Sequence, residues 1–315
     1  MANASSFEPA YLRLAATGEL SCRAVAARRM LERCELCPRM CGAQRFSGEA
    51  GKCRTFEKAV VCSVHPHFGE ESPLVGRRGS GTIFFSWCNL HCRFCQNYEL
   101  SAGGEGREVD AATLAGFMME LQRAGCHNIN FVSPTHVVAQ ILETLTVAAE
   151  SGLRIPLVYN TGGYDRIETL RLLEDVIDIY MPDMKYADAA IGRRLSQIDD
   201  YPEVNRAAVK EMHRQVGDLV LDEQGIAQRG LLVRHLVLPE GLAGTREVVK
   251  FLVDEISPNT YVNIMDQYRP AYQADAFPPL NRRVTRSEYR EALQLARDAG
   301  LSRLDDRQAR LVLSF

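Results

Sequence analysis

The chain reads as an α/β protein, a partial (βα)6 TIM-like barrel preceded by an N-terminal cysteine-rich module, and three observations predict it. From about residue 81 onward, short apolar runs alternate with amphipathic stretches of helical length, the pattern of parallel strands joined by helical crossovers. About six such units fit before residue 300, whereas a closed (βα)8 barrel needs eight over about 250 residues, so a barrel with an open side is expected. The first 80 residues break this pattern with cysteines, prolines and glycines.

In chain order, a basic amphipathic helix is expected over residues 10–33, then the cysteine-rich segment. A Pro- and Gly-rich stretch follows, from His65-Pro66-His67 to Gly79-Ser80-Gly81, and reads as a connection to the first strand. Residues 1–80 together form a lid or support on the barrel. Strands are expected at 81–87, 129–133, 155–160, 176–182, 231–238 and 261–266, each apolar on both faces as buried parallel strands are. Helical patterns lie between them, at 110–124, 136–151 and 245–256. The barrel ends near residue 300, and the tail 301–315 carries no signal.

The 315 residues are 46% hydrophobic and 24% charged, enough to build a large core, which excludes disordered and fibrous classes. The 37 basic and 40 acidic residues are mixed along the chain, for a net charge of -3, so neither nucleic acid nor an anionic membrane is expected as a partner. Residues 1–6 lack a basic segment followed by an apolar stretch, and Arg234 and His235 interrupt the run 231–238; a cytoplasmic location follows. Of ten cysteines, seven fall in two tight groups, which points to metal rather than disulfides. Cys22, Cys62 and Cys126 stand alone and read as small buried apolar residues.

Cys88, Cys92 and Cys95 follow the first expected strand, at the end where parallel barrels carry their chemistry. Three thiolates on a four-iron cluster leave one iron open to the amino and carboxylate groups of a small molecule. The next cysteine is Cys126; a zinc site completed by His91 or a distant residue is the alternative, although zinc knuckles use paired spacings.

The run Trp87-Cys88-Asn89-Leu90-His91-Cys92-Arg93-Phe94-Cys95-Gln96-Asn97 resembles the cluster loop of radical SAM enzymes. Within that superfamily, residues from about 30 to 300 resemble PflX-type proteins, relatives of the activating enzymes of pyruvate formate-lyase. The resemblance implies a [4Fe-4S] cluster on Cys88, Cys92 and Cys95, with Phe94 against the adenine of S-adenosyl-L-methionine (SAM). It further implies electrons from a flavodoxin or ferredoxin, cleavage of SAM to a 5'-deoxyadenosyl radical, and hydrogen abstraction from a glycyl radical enzyme. Another peptide, a small molecule, or a non-catalytic iron-sulfur, zinc or electron-transfer scaffold are the alternatives. No catalytic side chain is assigned.

Other strand ends supply the remaining candidates. Asn160 and Thr161 precede Gly162 and Gly163, which let backbone approach a ligand. Asp183 and Lys185 point to one side of an extended segment and resemble the Asp-x-Lys pair of the activating enzymes; a surface ion pair is the plainer reading. Arg234, costly in an apolar strand without a carboxylate, resembles their SAM-facing arginine, with a structural partner such as Asp183 as the alternative. Ser133-Pro134-Thr135-His136 stands where the superfamily carries a Gly-Gly-Glu type motif, which leaves Thr135 as a candidate for SAM. Gln267, Tyr268 and Arg269, after the sixth strand, and His65 and His67, beside Glu70 and Glu71, are substrate-side candidates; the histidines also fit a solvated loop. Cys34, Cys37, Cys41 and Cys53 provide a closed tetrathiolate site for zinc or a second cluster.

Overall fold

Along the central strands, alternate side chains face opposite ways, and the two faces have different chemistry. In this computed structural model, which describes residues 7–305, Ile129, Phe131, Leu157, Tyr159, Tyr180, Leu231 and Val233 pack in one core with helical residues. Their neighbours Val158, Ile179, Met181 and Leu232 form a smaller cluster with Leu74 on the other face. That inner face also carries the polar residues described below.

The strands among the described residues are β1 (Ala59–His67), β2 (Ser80–Phe85), β3 (Arg107–Val109), β4 (Ile129–Val132), β5 (Leu157–Thr161), β6 (Ile179–Pro182), β7 (Val220–Leu221), β8 (Ala227–Leu236) and β9 (Tyr261–Met265). They form one mostly parallel sheet in the order β3-β1-β2-β4-β5-β6-β8-β7, with β9 also on β8. The pairs β2-β4, β4-β5, β5-β6, β6-β8 and β8-β9 are parallel, so the six expected strands lie side by side in chain order.

Helices α1 (Tyr11–Thr17), α2 (Glu19–Arg29), α3 (Ser72–Val75), α4 (Tyr98–Ser101), α5 (Ala111–Arg123), α6 (Val138–Glu150), α7 (Ile167–Leu172), α8 (Ala189–Ser196), α9 (Tyr201–Val216), α10 (Thr245–Phe251) and α11 (Arg286–Asp298) complete the described chain. Local chemistry sets several starts. Asp110 accepts the Thr113 N–H at 2.8 Å to cap α5, and Thr285 with Glu288 forms a reciprocal capping box on α11. None of the helices is long and apolar enough to cross a membrane, among the described residues.

Three expectations need correction. The helix expected over 10–33 is two helices, because Gly18 adopts φ 78°, a left-handed turn that ends α1 and redirects α2. The stretch expected as an irregular connection before residue 81 contains β1, which pairs antiparallel with β2. Pro66 is tolerated there because β3 pairs only with Ala59, Val60 and Val61, leaving that side of the strand at Pro66 without a ladder partner. The tail is also less featureless than expected: Leu304 bridges to Val262, and the Asp305 N–H donates to the Val262 carbonyl at 2.9 Å. Its remainder, and the expectation about residues 1–6, lie outside the described residues.

Candidate active site

The loop after β2 turns sharply at Trp87, whose φ of 67° is left-handed. Its indole lies over Gly104, where a Cβ would come within 2.1 Å of the ring, and the Arg54 guanidinium stacks 5.4 Å from its centroid. The chain then delivers three thiols. Cys88 Sγ accepts from the Leu90 N–H at 3.4 Å, Cys92 Sγ meets Ser196 Oγ at 3.0 Å, and Cys95 Sγ meets Ser101 Oγ at 3.1 Å. Burial pushes the Cys88 thiol up to about 12, with Cys92 and Cys95 adding to it and Lys185 opposing. The same balance, burial against Lys185, raises Cys92. All ten cysteines are unbridged; of the three lone ones expected to be buried only Cys126 is, Cys22 being exposed and Cys62 half-buried.

Three soft sulfur ligands on one loop, each beside a hydrogen-bonding group and two of them within reach of the Lys185 charge, fit an anionic iron-sulfur cluster. Among the described residues, no three His, Cys, Asp or Glu side chains stand close enough to share a single metal ion. This holds for Cys34, Cys37, Cys41 and Cys53 as well, so the expected tetrathiolate site is not drawn in round one ion here; a four-iron cluster holds its thiolates further apart.

Beside the loop, the strand ends bring four of the candidates together. Asp183 Oδ2 pairs with Lys185 Nζ at 2.6 Å and Asp183 Oδ1 with Arg234 Nε at 3.0 Å, while Arg234 Nη2 donates to Asn160 Oδ1 at 2.8 Å. Burial alone would raise the Asp183 carboxyl, but Arg234 and Lys185 hold it below the usual range. Burial would likewise lower Lys185, yet Asp183 and the Cys92 sulfur raise it. Asp183, Lys185 and Arg234 side chains keep 15%, 18% and 19% exposure, so solvent reaches this charged set.

Arg234 also faces Glu70, Nη1 to Oε2 at 3.7 Å, and Glu70 Oε1 meets His67 Nδ1 at 2.9 Å. His67 thus belongs to the charged set, whereas His65 is exposed and stacks on Phe84 with ring centroids 5.6 Å apart. Two buried inner-face residues were not assigned from sequence. Glu71 Oε1 accepts from Asn263 Nδ2 at 2.9 Å while its Oε2 has no hydrogen-bond partner, and both polar atoms of Asn130 lack one. Burial would raise Glu70, but the His67 ring and Arg234 hold it low; Glu71 is pushed up by burial. A signal for Asn130 existed, since a polar residue in an otherwise apolar strand stands out as Arg234 does.

Other candidates are placed elsewhere. The Thr135 and Thr161 hydroxyls, both buried, donate to Asp165 at 2.7 Å each, apart from the charged set. Asp165, which Tyr159 Oη also bonds at 2.9 Å, was invisible as their partner from sequence. Tyr268 is buried and donates to the Leu280 carbonyl at 2.6 Å, a packing role where a substrate contact was expected. Phe94 packs edge-on against it, ring centroids 5.8 Å apart, in a cluster with Leu90 and Tyr186. Gln267 and Arg269 are exposed; the Gln267 carbonyl accepts from Gln96 at 3.2 Å, beside Cys95.

The four-cysteine module folds around a short paired turn, with the Cys34 N–H to the Ala43 carbonyl at 2.9 Å and the Gly42 N–H to the Cys34 carbonyl at 3.0 Å. Cys34, Cys37 and Cys53 are buried and Cys41 is exposed; burial pushes Cys37 up to about 12, with Cys53, Cys34 and Cys41 each adding. Gly51 permits the approach of Cys41, whose sulfur would lie 2.7 Å from a Cβ there. Arg45, only 1% exposed, reaches Cys34 Sγ at 3.9 Å, the Phe56 carbonyl at 2.8 Å and the His136 carbonyl at 2.9 Å. The His136 ring bonds the Ser86 carbonyl at 2.9 Å, and Arg39 Nε donates to the Asn89 carbonyl at 2.5 Å. The module is therefore seated directly on the three-cysteine loop.

A thiol trio at the carboxyl ends of parallel strands, flanked by paired cations and carboxylates, defines an iron-sulfur protein with a polar small-molecule site beside the cluster loop. The chain carries a radical SAM superfamily domain: residues 82–223 match the family model of that description. A domain of this kind implies in general a [4Fe-4S] cluster and SAM, and supports an enzyme. A Methanocaldococcus jannaschii relative, described as uncharacterized protein MJ0674, is 32% identical over 288 residues, covering 89% of this chain and 79% of the relative. Among solved structures, TYW1 with a lysine-pyruvate adduct bound is 10% identical with a TM-score of 0.43, covering 69% of this chain and 72% of that one. Streptococcus suis SuiB bound to precursor peptide SuiA is 12% identical with a TM-score of 0.46, covering 67% of this chain and 43% of that one.

Proposed function

We propose that this chain is a radical SAM enzyme of the PflX type in which the six parallel strands curve into a partial barrel around SAM. Cys88, Cys92 and Cys95 hold the [4Fe-4S] cluster, leaving one iron for SAM. When bound, the cluster supplies the electron that cleaves SAM to methionine and a 5'-deoxyadenosyl radical. Lys185 and Arg234 meet its carboxylate, Asp183 accepts from its ribose hydroxyls, Asn160 fixes Arg234, and Phe94 walls the adenine. The carrying observation is that Lys185, paired to Asp183 at 2.6 Å, and Leu90 of the cysteine loop both lie over Gly162, with Lys185 Cε 3.7 Å from where a Cβ would stand there, which supports one site shared by loop and charged set.

The substrate is a hydrogen donor held near the nascent radical by positioning, a protein glycine in the activating-enzyme reading or another peptide or small molecule. A flavodoxin or ferredoxin supplies electrons. The four-cysteine module carries zinc or a second [4Fe-4S] cluster, and its seat on the cluster loop supports an electron relay.

The test is anaerobic reconstitution with iron and sulfide, then chromatography for 5'-deoxyadenosine after SAM and dithionite. The wild type forms it, and the Cys88→Ala, Cys92→Ala, Cys95→Ala triple variant loses it entirely. No product from the wild type sinks the reading. Iron retained in the triple variant assigns a second cluster to the module; zinc assigns a structural ion.

A further inference from the structure

The inner face of the sheet carries a second group of polar residues, displaced from the cysteine loop. Asn130 lies in register with Thr82 and Val158, toward the amino ends of the strands, whereas Cys88 follows the carboxyl end of β2. Glu70 and Glu71 reach the same face from the loop between β1 and α3, which Asn128 fastens by donating to the Leu74 carbonyl at 2.9 Å. Phe84 and Val132, neighbouring residues of β2 and β4 in the same register, are only partly buried.

Groups here lack the partners that buried polar atoms ordinarily find. Glu71 is 4% exposed with Oε2 unbonded; Asn130 is 0% exposed, its amide beside the Glu70 carboxylate that it helps hold low, with neither Oδ1 nor Nδ2 completing a hydrogen bond of ordinary geometry. A buried polar group without a partner is destabilised, so a ligand that meets these atoms recovers the missing hydrogen bonds. The charges are also uneven. Asp183, Glu70 and Glu71 face Lys185 and Arg234, with His67 on Glu70, and both cations are already engaged by Asp183.

We propose that Glu71 and Asn130 form a recognition subsite for a cationic nitrogen group of the substrate, an amine or guanidine with a carbonyl or hydroxyl nearby. Glu71 Oε2 and Asn130 Oδ1 accept its N–H bonds, and Asn130 Nδ2 donates to the adjoining oxygen. This rests on the radical SAM reading for its role in substrate binding. Arg234, bonded toward both Asp183 and Glu70, then stands between the SAM groups and the substrate cation.

Isothermal titration of the reconstituted full-length chain with n-butylamine, n-butylguanidine, n-butanol and butyrate tests it. Either cation is expected to bind at least about tenfold more tightly than butanol or butyrate. Glu71→Gln, similar in size, weakens the cation at least about tenfold, and Asn130→Asp, which adds an acceptor and a charge, tightens it severalfold. The opposite signs separate a binding effect from a folding defect. Equal binding of butyrate and the cations by the wild type, or folded variants with unchanged affinity, overturns the subsite. Agmatine and Nα-acetylarginine amide divide a free amine from a residue within a peptide, and tight binding of either supports it. 5'-Deoxyadenosine measured on the same preparation keeps the two ideas apart: product without cation preference overturns the subsite alone, and cation preference without product overturns the radical reading alone.

Discussion

Asp165 and Asp183 follow neighbouring strands, β5 and β6, the first buried and the second only partly so, and the fold treats them in opposite ways. Asp165 meets three hydroxyls, from Thr135, Thr161 and Tyr159, and burial pushes its carboxyl up. Asp183 meets two cations, and they hold it low in spite of burial. A carboxyl among hydroxyls is at home in a closed interior, because neutral groups satisfy it without further charge to desolvate. A carboxylate between a lysine and an arginine brings charges that are costly to bury completely, so such a set belongs where solvent or a charged ligand enters. The first network is structural, and the second is the candidate site.

Breaking the charged set has the largest expected effect. Arg234→Met removes the cation shared by Asp183 and Glu70, and denaturant unfolding is expected to show a loss of ~3–5 kcal/mol, as for other broken buried pairs. A loss below about 1 kcal/mol makes the set no more than a surface ion pair. The closed network is expected to respond more weakly. Asp165→Asn keeps one acceptor oxygen but turns the other toward donors, costing ~1–2 kcal/mol, with 5'-deoxyadenosine formation per folded molecule unchanged within about twofold. A collapse of that rate in folded protein merges the two regions into one site.

Asp178 sharpens the contrast least, as a third buried carboxylate served by backbone. It accepts the Ala10 N–H at 3.1 Å and the Leu157 N–H at 3.0 Å, and burial pushes it up to about 7. In the unfolded chain its pKa is about 4, so between these values the folded state binds more protons and stability falls as pH rises. The fall begins near pH 4, ends once the folded group has ionised above about 7, and never exceeds ~1.4 kcal/mol per pH unit for one proton. Thermal melts from pH 4.5 to 8 are expected to show this slope in the wild type and its loss in Asp178→Asn.

Much of the fold was legible in the sequence. The six parallel strands lie close to their expected ranges, because buried parallel strands need continuous apolar runs whatever surrounds them. β1 escaped notice, because Pro66 and the glycines that follow mark a turn unless an antiparallel neighbour is known. In the site, Asn160, Asp183, Lys185 and Arg234 were legible as polar residues at strand ends. For Thr135, Thr161 and Tyr268 the sequence hid the partners, since each looks available until Asp165 or the Leu280 carbonyl is seen beside it.

By itself the sequence determined the spacing of Cys88, Cys92 and Cys95, the alternation of strands and helices, and the grouping of four further cysteines, because these are short-range patterns along one chain. Only the tertiary structure decided that Arg45 lies against Cys34, that the module rests on the cluster loop, and that Glu71 and Asn130 face inward with atoms unmatched. A buried polar group takes its partner from whatever the fold brings within about 3 Å, and that partner is often a hundred residues away.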